Sequence, residues 1–427
     1  MLAIPFLSMV LFLLIGLPIA FSIGIAGIIG ILLVGDLNTV IGIVGMGTFG
    51  SVASYVFSTV PMFIAMAFFA SSGGLAEDLF DAADRWFSNI RGGLAIGTVF
   101  ACGIFGAMSG VSSATASVMS ELAIPNMRRL GYSEALAAGT VGVGATLDML
   151  IPPSVAFVVY GFITGTSIGK LLIAGIIPGI ILGIFLIICI SAWVTIRPQD
   201  APGVRKTSWA LRWKSLWRIW PSLVLIVMVT GVLYAGVCTP TEAGAIGAFL
   251  AAVIGISIGK LDFKGIVKGF KATLRITAMI LMILIGAYIF NTFIALTGLP
   301  EQLVNFVLAM GINRWVVMVG IIVAYFVISM FMDELPLMLL FLQFTFPLII
   351  KLGFDPIWYG VISLMMIMMG LVFPPVGMLA FIVSGVSKIN LMTVYKGTSI
   401  LMIAILLTTL VLMLFPEVAT WLPSKMM

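Results

Sequence analysis

Histidine is absent from the 427 residues. That removes the Ser/His and Cys/His nucleophile pairs and the His-ligated zinc sites together. The three cysteines, Cys102, Cys189 and Cys238, lie far apart and form no CxxC pair, which argues against a disulfide framework and against a thiolate metal centre. Charge is scarce too: Asp, Glu, Lys and Arg make up 9% of the chain, against roughly a quarter in soluble domains. Nothing in it resembles a phosphate-cradling loop, so no nucleotide or nucleic acid is implied. No basic stretch precedes the first apolar run and no small-residue cleavage site follows it, so the first helix is expected to stay in the mature protein. Most forms of enzyme are thereby excluded.

What is present is apolar: 62% of the residues are hydrophobic. Runs of about 20 apolar residues, enough to cross a hydrocarbon core of roughly 30 Å, recur from Met1 to Phe415 with no separate polar domain. The chain therefore reads as an all-α polytopic membrane protein. Its 46 glycines suit helices that approach closely or break within the membrane.

The chain also repeats itself at an offset of 222 residues. Pro18 falls on Pro240, Pro125 on Pro347, Pro152-Pro153 on Pro374-Pro375, and Gly175 on Gly397. The run Arg129-Leu130-Gly131-Tyr132 falls on Lys351-Leu352-Gly353-Phe354. Two repeated halves, 1–196 and 220–427, joined by a polar linker at 197–219, are the usual build of a secondary transporter. Each half is expected to open with two short helices split at Gly16-Leu17-Pro18 or Cys238-Thr239-Pro240. A span (40–72; 276–297), an amphipathic arm (75–91; 300–313), a re-entrant hairpin, a helix broken by the double proline and a last uninterrupted span should follow. The stretches Glu77 to Arg91 and Lys260 to Arg275 read as interfacial helices.

Counting five crossings per half inverts the second half relative to the first. It gathers every Lys and Arg except Lys170, Arg314, Lys351 and Lys425 on one side, as the positive-inside rule requires. Four crossings would spread them more evenly. The basic linker is then cytoplasmic and reads as just the positive-inside signal, both termini are periplasmic, and the two hairpins enter from opposite faces to meet near the midplane, where a substrate site belongs.

Irregular backbone at membrane depth is tolerated only where it is buried in protein or lines a wet cavity, so the breaks are the functional candidates. Ser109, Gly110, Ser112, Ser113 and Thr115 mark the first hairpin tip. Gly144, Thr146 and Asp148 lead into Pro152-Pro153-Ser154. Hydroxyls, one carboxylate and carbonyls freed by proline are hard oxygen ligands suited to Na⁺. The second half offers Asp333, Glu334 and Pro336, then Gly370, Phe373, Pro374 and Gly377, where ligands would be mostly carbonyls. Asp333 and Glu334 are adjacent and cannot share a helical face, so one is expected at the ion, and Asp333 is the assigned ligand. The expected Na⁺ set is Ser109, Gly110, Ser112, Gly144, Thr146, Asp148, Asp333, Gly370, Phe373 and Pro374. The expected substrate set is Ser109, Ser112, Ser113, Thr115, Ser154, Pro336 and Gly377. Helix N-termini at the tips and breaks suit a carboxylate-bearing substrate. Glu242 follows Thr239-Pro240-Thr241 and reads as a helix cap instead.

These motifs carry a resemblance. Gly16-Leu17-Pro18-Ile19-Ala20-Phe21, Ser109 to Thr115, Gly144-Ala145-Thr146-Leu147 with Ile151-Pro152-Pro153-Ser154, Thr239-Pro240-Thr241-Glu242-Ala243 and Phe373-Pro374-Pro375 resemble the large membrane subunit of tripartite ATP-independent periplasmic (TRAP) transporters, and most of all its sialic acid branch. The resemblance spans nearly the whole chain. It implies an elevator-type fold, with a scaffold (1–91, 220–313) and a transport domain holding both hairpins (93–196, 315–427). It further implies Na⁺-driven uptake of a carboxylate without ATP or organic cofactor, across a bacterial inner membrane. A separate four-helix membrane subunit and a periplasmic binding protein would be the partners, with lipid around them; sialic acid is the first substrate expected, a C4-dicarboxylate the second.

Other readings fit less of the sequence. A stand-alone Na⁺/anion symporter or antiporter would share the architecture and differ in lacking a soluble partner. An intramembrane aspartyl protease would use Asp148 and Asp333, but it would leave the repeated double prolines without a role. A channel would need a continuous polar path, and the chain has isolated polar breaks.

Overall fold

A computed structural model describes residues 3–204 and 207–426, so Arg205 and Lys206 of the basic linker lie outside the described residues. The first half runs α1 (Ala3–Leu14), α2 (Ile19–Val34), α3 (Leu37–Gly42), α4 (Thr48–Val52), α5 (Thr59–Ser72), α6 (Leu75–Phe87), α7 (Gly93–Ser109), α8 (Ser112–Arg129), α9 (Glu134–Gly144), α10 (Val155–Thr164), α11 (Ile168–Ala174) and α12 (Ile176–Ile196). After α13 (Trp209–Arg218) the second half runs α14 (Trp220–Tyr234), α15 (Pro240–Ser257), α16 (Phe263–Thr297), α17 (Leu299–Ala309), α18 (Arg314–Ser329), α19 (Glu334–Lys351), α20 (Pro356–Leu371), α21 (Met378–Ser387), α22 (Leu391–Leu401), α23 (Ile403–Leu414) and α24 (Glu417–Met426). Every described element is helical or a connection. The repeat is present element by element: α8 and α19 begin and end on residues related by the offset, and both double prolines are cis.

Local chemistry sets these boundaries. Gly16, in the left-handed region at φ 89°, parts α1 from α2, a conformation that costs glycine nothing. The Thr239 hydroxyl accepts the Glu242 amide while the Glu242 carboxylate accepts the Thr239 amide at 2.8 Å, a reciprocal cap with Pro240 at the first helical position. Glu242 is thus a cap, as its sequence context suggests.

Three expectations need correction. The segment Lys260 to Arg275 does not form a separate arm, because α16 continues unbroken through 35 residues, about 52 Å at 1.5 Å per residue. It therefore overshoots a core of roughly 30 Å by several turns. The corresponding first-half stretch, expected as one span over 40–72, is instead broken by a π-turn at Ile43–Gly47 and again at Ala53-Ser54. Four glycines in nine residues, Gly42 to Gly50, weaken that helix, and the Tyr288 hydroxyl fills the space a Gly47 side chain would need. Third, the linker is more than a charge signal: α13 docks on α6, where the Trp86 indole donates to the Arg212 carbonyl at 3.3 Å and packs edge-on against Trp209 and Trp213. Asp78 of α6 is buried and pairs with Arg218 at 2.7 Å and with Lys260 at 3.0 Å.

Packing follows the repeat. Helix α2 crosses α16 through Gly24, Gly27 and Gly30, and its counterpart α15 crosses α5 through Gly244 and Gly247. A Cβ on Gly27 would fall 2.6 Å from the Phe290 backbone nitrogen. In the other group, α9 meets α22 at Gly139 and Gly397, while α20 meets α11 beside Gly360. Small residues let backbones touch where lipid supplies no hydrophobic force between helices. Among the described residues, six helical segments are long and apolar enough to cross a membrane, Ile168–Ile196 and Phe263–Thr297 among them, and eight shorter apolar helices accompany them.

Candidate functional site

Helices α7 and α8 form one hairpin, turning at Gly110 (φ 61°), and α18 and α19 form the other. Each tip is held against the double-proline loop of its own half. The Val155 amide donates to the Gly110 carbonyl at 3.2 Å, and the Gly377 amide, the repeat counterpart of Val155, donates to the Met330 carbonyl at 3.0 Å. A side chain at Gly110 would fall 2.6 Å from the Pro153 carbonyl oxygen, so the first tip requires glycine on two counts.

The tips meet each other through one bond: the Ser112 hydroxyl donates to the Glu334 carboxylate at 2.7 Å. These two residues are repeat counterparts, 222 positions apart, so the pseudo-two-fold relation between the halves passes through that hydrogen bond. Both are first residues of their helices, α8 and α19, so the positive dipole ends of two helices converge there.

One turn along α8, Thr115 extends the polar group. Its hydroxyl lies 2.7 Å from that of Ser109 and donates to Asp148 Oδ2 at 3.0 Å. Ser109, Thr115 and Asp148 are fully buried, and Ser112 and Glu334 nearly so. Asp148 Oδ1 is buried with no hydrogen-bond partner among the described residues, although an orphaned carboxylate oxygen is costly at such a depth. Asp148 sits on a short 3₁₀ turn, Ala145–Met149, pressed by α7, where a side chain at Gly106 would fall 2.6 Å from Asp148 Cβ. That contact fixes where the carboxylate points.

The structure therefore gathers Ser109, Gly110, Ser112, Thr115 and Asp148 of the expected residues, and adds Glu334. It does not gather the others in the same way. Asp333 caps its own helix, accepting the Glu334 amide at 2.9 Å, so Glu334 rather than Asp333 is the carboxylate that meets the opposite hairpin. Thr146 donates back to the Val143 carbonyl at 2.7 Å, and Ser154 caps α10 by accepting the Phe157 amide. Ser113 is half-buried, and Pro336 is buried in the first turn of α19. Gly144 packs on Cys102, and Gly370, the repeat counterpart of Asp148, packs on Ser329. Gly377 adopts φ 54° beneath the Phe373 carbonyl, the Phe373 ring stacks at a tilt on Phe326, and Pro374 is half-buried.

Residues with no sequence signal complete the second loop. The Tyr395 hydroxyl contacts the Pro375 and Val376 carbonyls at 2.9 and 2.6 Å, and Thr398 donates to the Val372 carbonyl at 2.6 Å. They satisfy carbonyls of the non-helical loop around the double proline, which have no helical partner. Their first-half counterparts are Ile173 and Ile176, so self-comparison could not reveal them.

Comparison with known proteins agrees with this architecture. The family model "Tripartite ATP-independent periplasmic transporter, DctM component" matches residues 6–418. A C4-dicarboxylate TRAP transporter large permease of Pseudomonas aeruginosa is 33% identical, covering 94% of both chains. An ectoine TRAP large permease of Halomonas elongata is 32% identical over 97% of both, and a sialic acid TRAP large permease of Vibrio cholerae is 28% identical over 96% of this chain and 95% of its own. Identity thus does not single out the sialic acid branch. The YdaH transporter of Alcanivorax borkumensis shares the fold, with a TM-score of 0.68 at 14% identity over 91% of this chain and 89% of that one. The match to the family along almost the whole length, with relatives above 30% identity, leads to one conclusion: the chain belongs to the DctM family of TRAP transporter large permeases, membrane transport proteins and not enzymes.

Proposed function

We infer that this permease takes up a carboxylate by Na⁺-coupled secondary transport, with both hairpins carried in a unit that moves against a scaffold. The observation behind this reading is the buried Ser109–Thr115–Asp148 chain with its unpartnered Oδ1. An orphaned anionic oxygen among hydroxyls fits a small hard cation. Ser109, Thr115 and Asp148 would hold it with the carbonyls of Gly110 and Gly144; across the pseudo-two-fold, carbonyls of Gly370, Phe373 and Pro374 would form the corresponding set. When bound, Na⁺ would supply the positive charge that offsets a substrate carboxylate at a polar group that, among the described residues, includes no Arg.

The chain's own groups do the rest. The N-termini of α8 and α19 direct amides at the same point, and the Ser112 hydroxyl, already held by Glu334, defines one wall. Ser113, Ser154, Pro336 and Gly377 line the approach as substrate contacts. The moving unit comprises 93–196 and 315–427, and the scaffold 1–91 and 220–313, with both termini periplasmic in a bacterial inner membrane. A small four-helix membrane subunit would complete the membrane part, and a periplasmic binding protein would deliver the substrate, sialic acid first and a C4-dicarboxylate second.

The test is uptake into proteoliposomes holding the chain and the small subunit of its own transporter. Radiolabelled sialic acid or succinate is offered with and without the binding protein and an inward Na⁺ gradient. Uptake should require both additions, and Asp148→Asn should lower the Na⁺-dependent rate at least tenfold while the protein still inserts. Equal uptake without Na⁺ would refute the coupling, and uptake without the binding protein would favour the stand-alone symporter.

A further inference from the structure

A crevice of about 480 Å³ opens between α7, α12 and α14, lined by residues that include Phe100, Gly103, Gly179, Gly183, Leu223 and Ile226, and every lining residue is apolar. It lies beside the polar site rather than in it: Phe100, Gly103 and Ala107 of α7 face it together with Leu147 and Ile151, while Gly106 faces Asp148. Glycines shape it. A side chain at Gly103 would fall 3.2 Å from Ile151 and one at Gly179 3.1 Å from Ile151, whereas one at Gly183 would meet nothing within 4 Å.

The lining decides what suits it. A hydrocarbon chain, thin and flexible, fits an apolar crevice shaped by glycines, and a lining with no hydrogen-bonding side chain offers nothing to a polar ligand.

The ends of the crevice differ in charge. Where α7 begins and α12 ends, a side chain at Gly92 would lie 3.0 Å from Val194, so the exposed Arg91 and Arg197 flank the same end. Exposed Lys214 of α13 precedes α14 on that side, with Trp213, Trp217 and Trp220 exposed beside it. Exposed tryptophans mark the headgroup level of a bilayer and clustered cations attract anionic headgroups. Phe100 is about 14 Å along the helix from Arg91, a depth that acyl carbons reach when the phosphate sits at that level.

We propose that this crevice is a lipid site: one acyl chain of an anionic phospholipid fills the space between α7, α12 and α14, with its phosphate at the Arg91, Arg197 and Lys214 end. The inference is independent of substrate and coupling ion.

The experiment is photolabelling of the full chain in phosphatidylcholine vesicles containing a small fraction of phosphatidylglycerol with a diazirine in its acyl chain, followed by peptide mapping. Adducts should appear on the crevice faces of α7, α12 and α14. Gly183→Phe should cut them at least fivefold without changing adducts elsewhere, and Gly183→Ala should leave them in place. Diazirine phosphatidylcholine should label the crevice at least threefold less than the glycerol lipid, in the wild-type chain as well, so the test survives if Gly183→Phe fails to fold. Crevice labelling indifferent to Gly183→Phe in a folded protein would overturn the site, and equal labelling by both lipids would overturn the headgroup assignment.

Discussion

The Ser112–Glu334 bond joins the halves at the point of their pseudo-symmetry, and a double-mutant cycle measures it. Its 2.7 Å length and near-complete burial fit a bond to a carboxylate, worth ~1.5–3 kcal/mol against ~0.5–1.5 for a neutral pair. Glu334→Gln keeps an acceptor and should lose about 1–1.5 kcal/mol, the difference between the two. Ser112→Ala should cost about 2–3 kcal/mol in the native background, because it also leaves a buried carboxylate oxygen unmet. In the Glu334→Gln background the same change should cost only about 1 kcal/mol. The coupling is therefore about 1–2 kcal/mol, above the ~0.3–0.5 within which unconnected sites add. Reversible denaturant unfolding of the purified chain in micelles, followed by tryptophan fluorescence, supplies the four free energies. Additivity within about 0.5 kcal/mol would refute the direct bond between the hairpins, and with it the assignment of Glu334 to the site.

Two further predictions concern the frame around that site. Gly27→Ala should destabilise by about 1–3 kcal/mol, because the new Cβ meets the backbone of Ile289 and Phe290, which cannot yield as a side chain can. Gly231→Ala, open on all sides within α14, should instead be neutral or stabilising by up to about 1 kcal/mol; equal effects in the same unfolding assay would refute the close-packed crossing. Tyr395→Phe should cost about 0.5–1.5 kcal/mol by removing the donor to two part-buried carbonyls. An unchanged unfolding midpoint would show that the phenol is not what holds the second double-proline loop.

Much of this was legible because turn residues repeat more faithfully than core residues. Leucine, isoleucine and methionine exchange freely on a lipid-facing surface, but the double prolines at 152 and 374 and the paired glycines at 175 and 397 answer to backbone geometry. They gave both broken helices and the offset, while the polar interruptions Ser109 to Thr115 and Asp333-Glu334 gave the hairpins. Continuity was harder to read: Lys260 to Arg275 has the charge pattern of a surface helix, and only tertiary packing shows that α16 carries on into the membrane without a turn. The docking of α13 was hidden because tryptophan spacing does not name a partner. The choice between Asp333 and Glu334 was available in principle. A short acidic residue just before a helix caps that helix, and applying the rule would have assigned Asp333 to its own backbone and left Glu334 for the opposite tip.

The same site shows why the two halves had to diverge where they meet. Near a pseudo-two-fold axis every residue faces the neighbourhood of its own counterpart, so a carboxylate present in both repeats would confront its copy in a medium where like charges are strongly destabilising. The chain avoids this at the two acids of the buried hydroxyl cluster: Glu334 answers to Ser112, and Asp148 answers to Gly370, while Asp333, spent on capping its own helix, answers to Val111. In each of the two cluster pairs one half supplies the acid and the other a group that can donate to it or make room, as Gly370 does by letting Ser329 pack against it. Each half thus contributes one carboxylate to the cluster. The symmetry therefore survives in the backbone, where it positions two tips and two loops, and is abandoned in the side chains, where it would have placed four acids in one buried cluster.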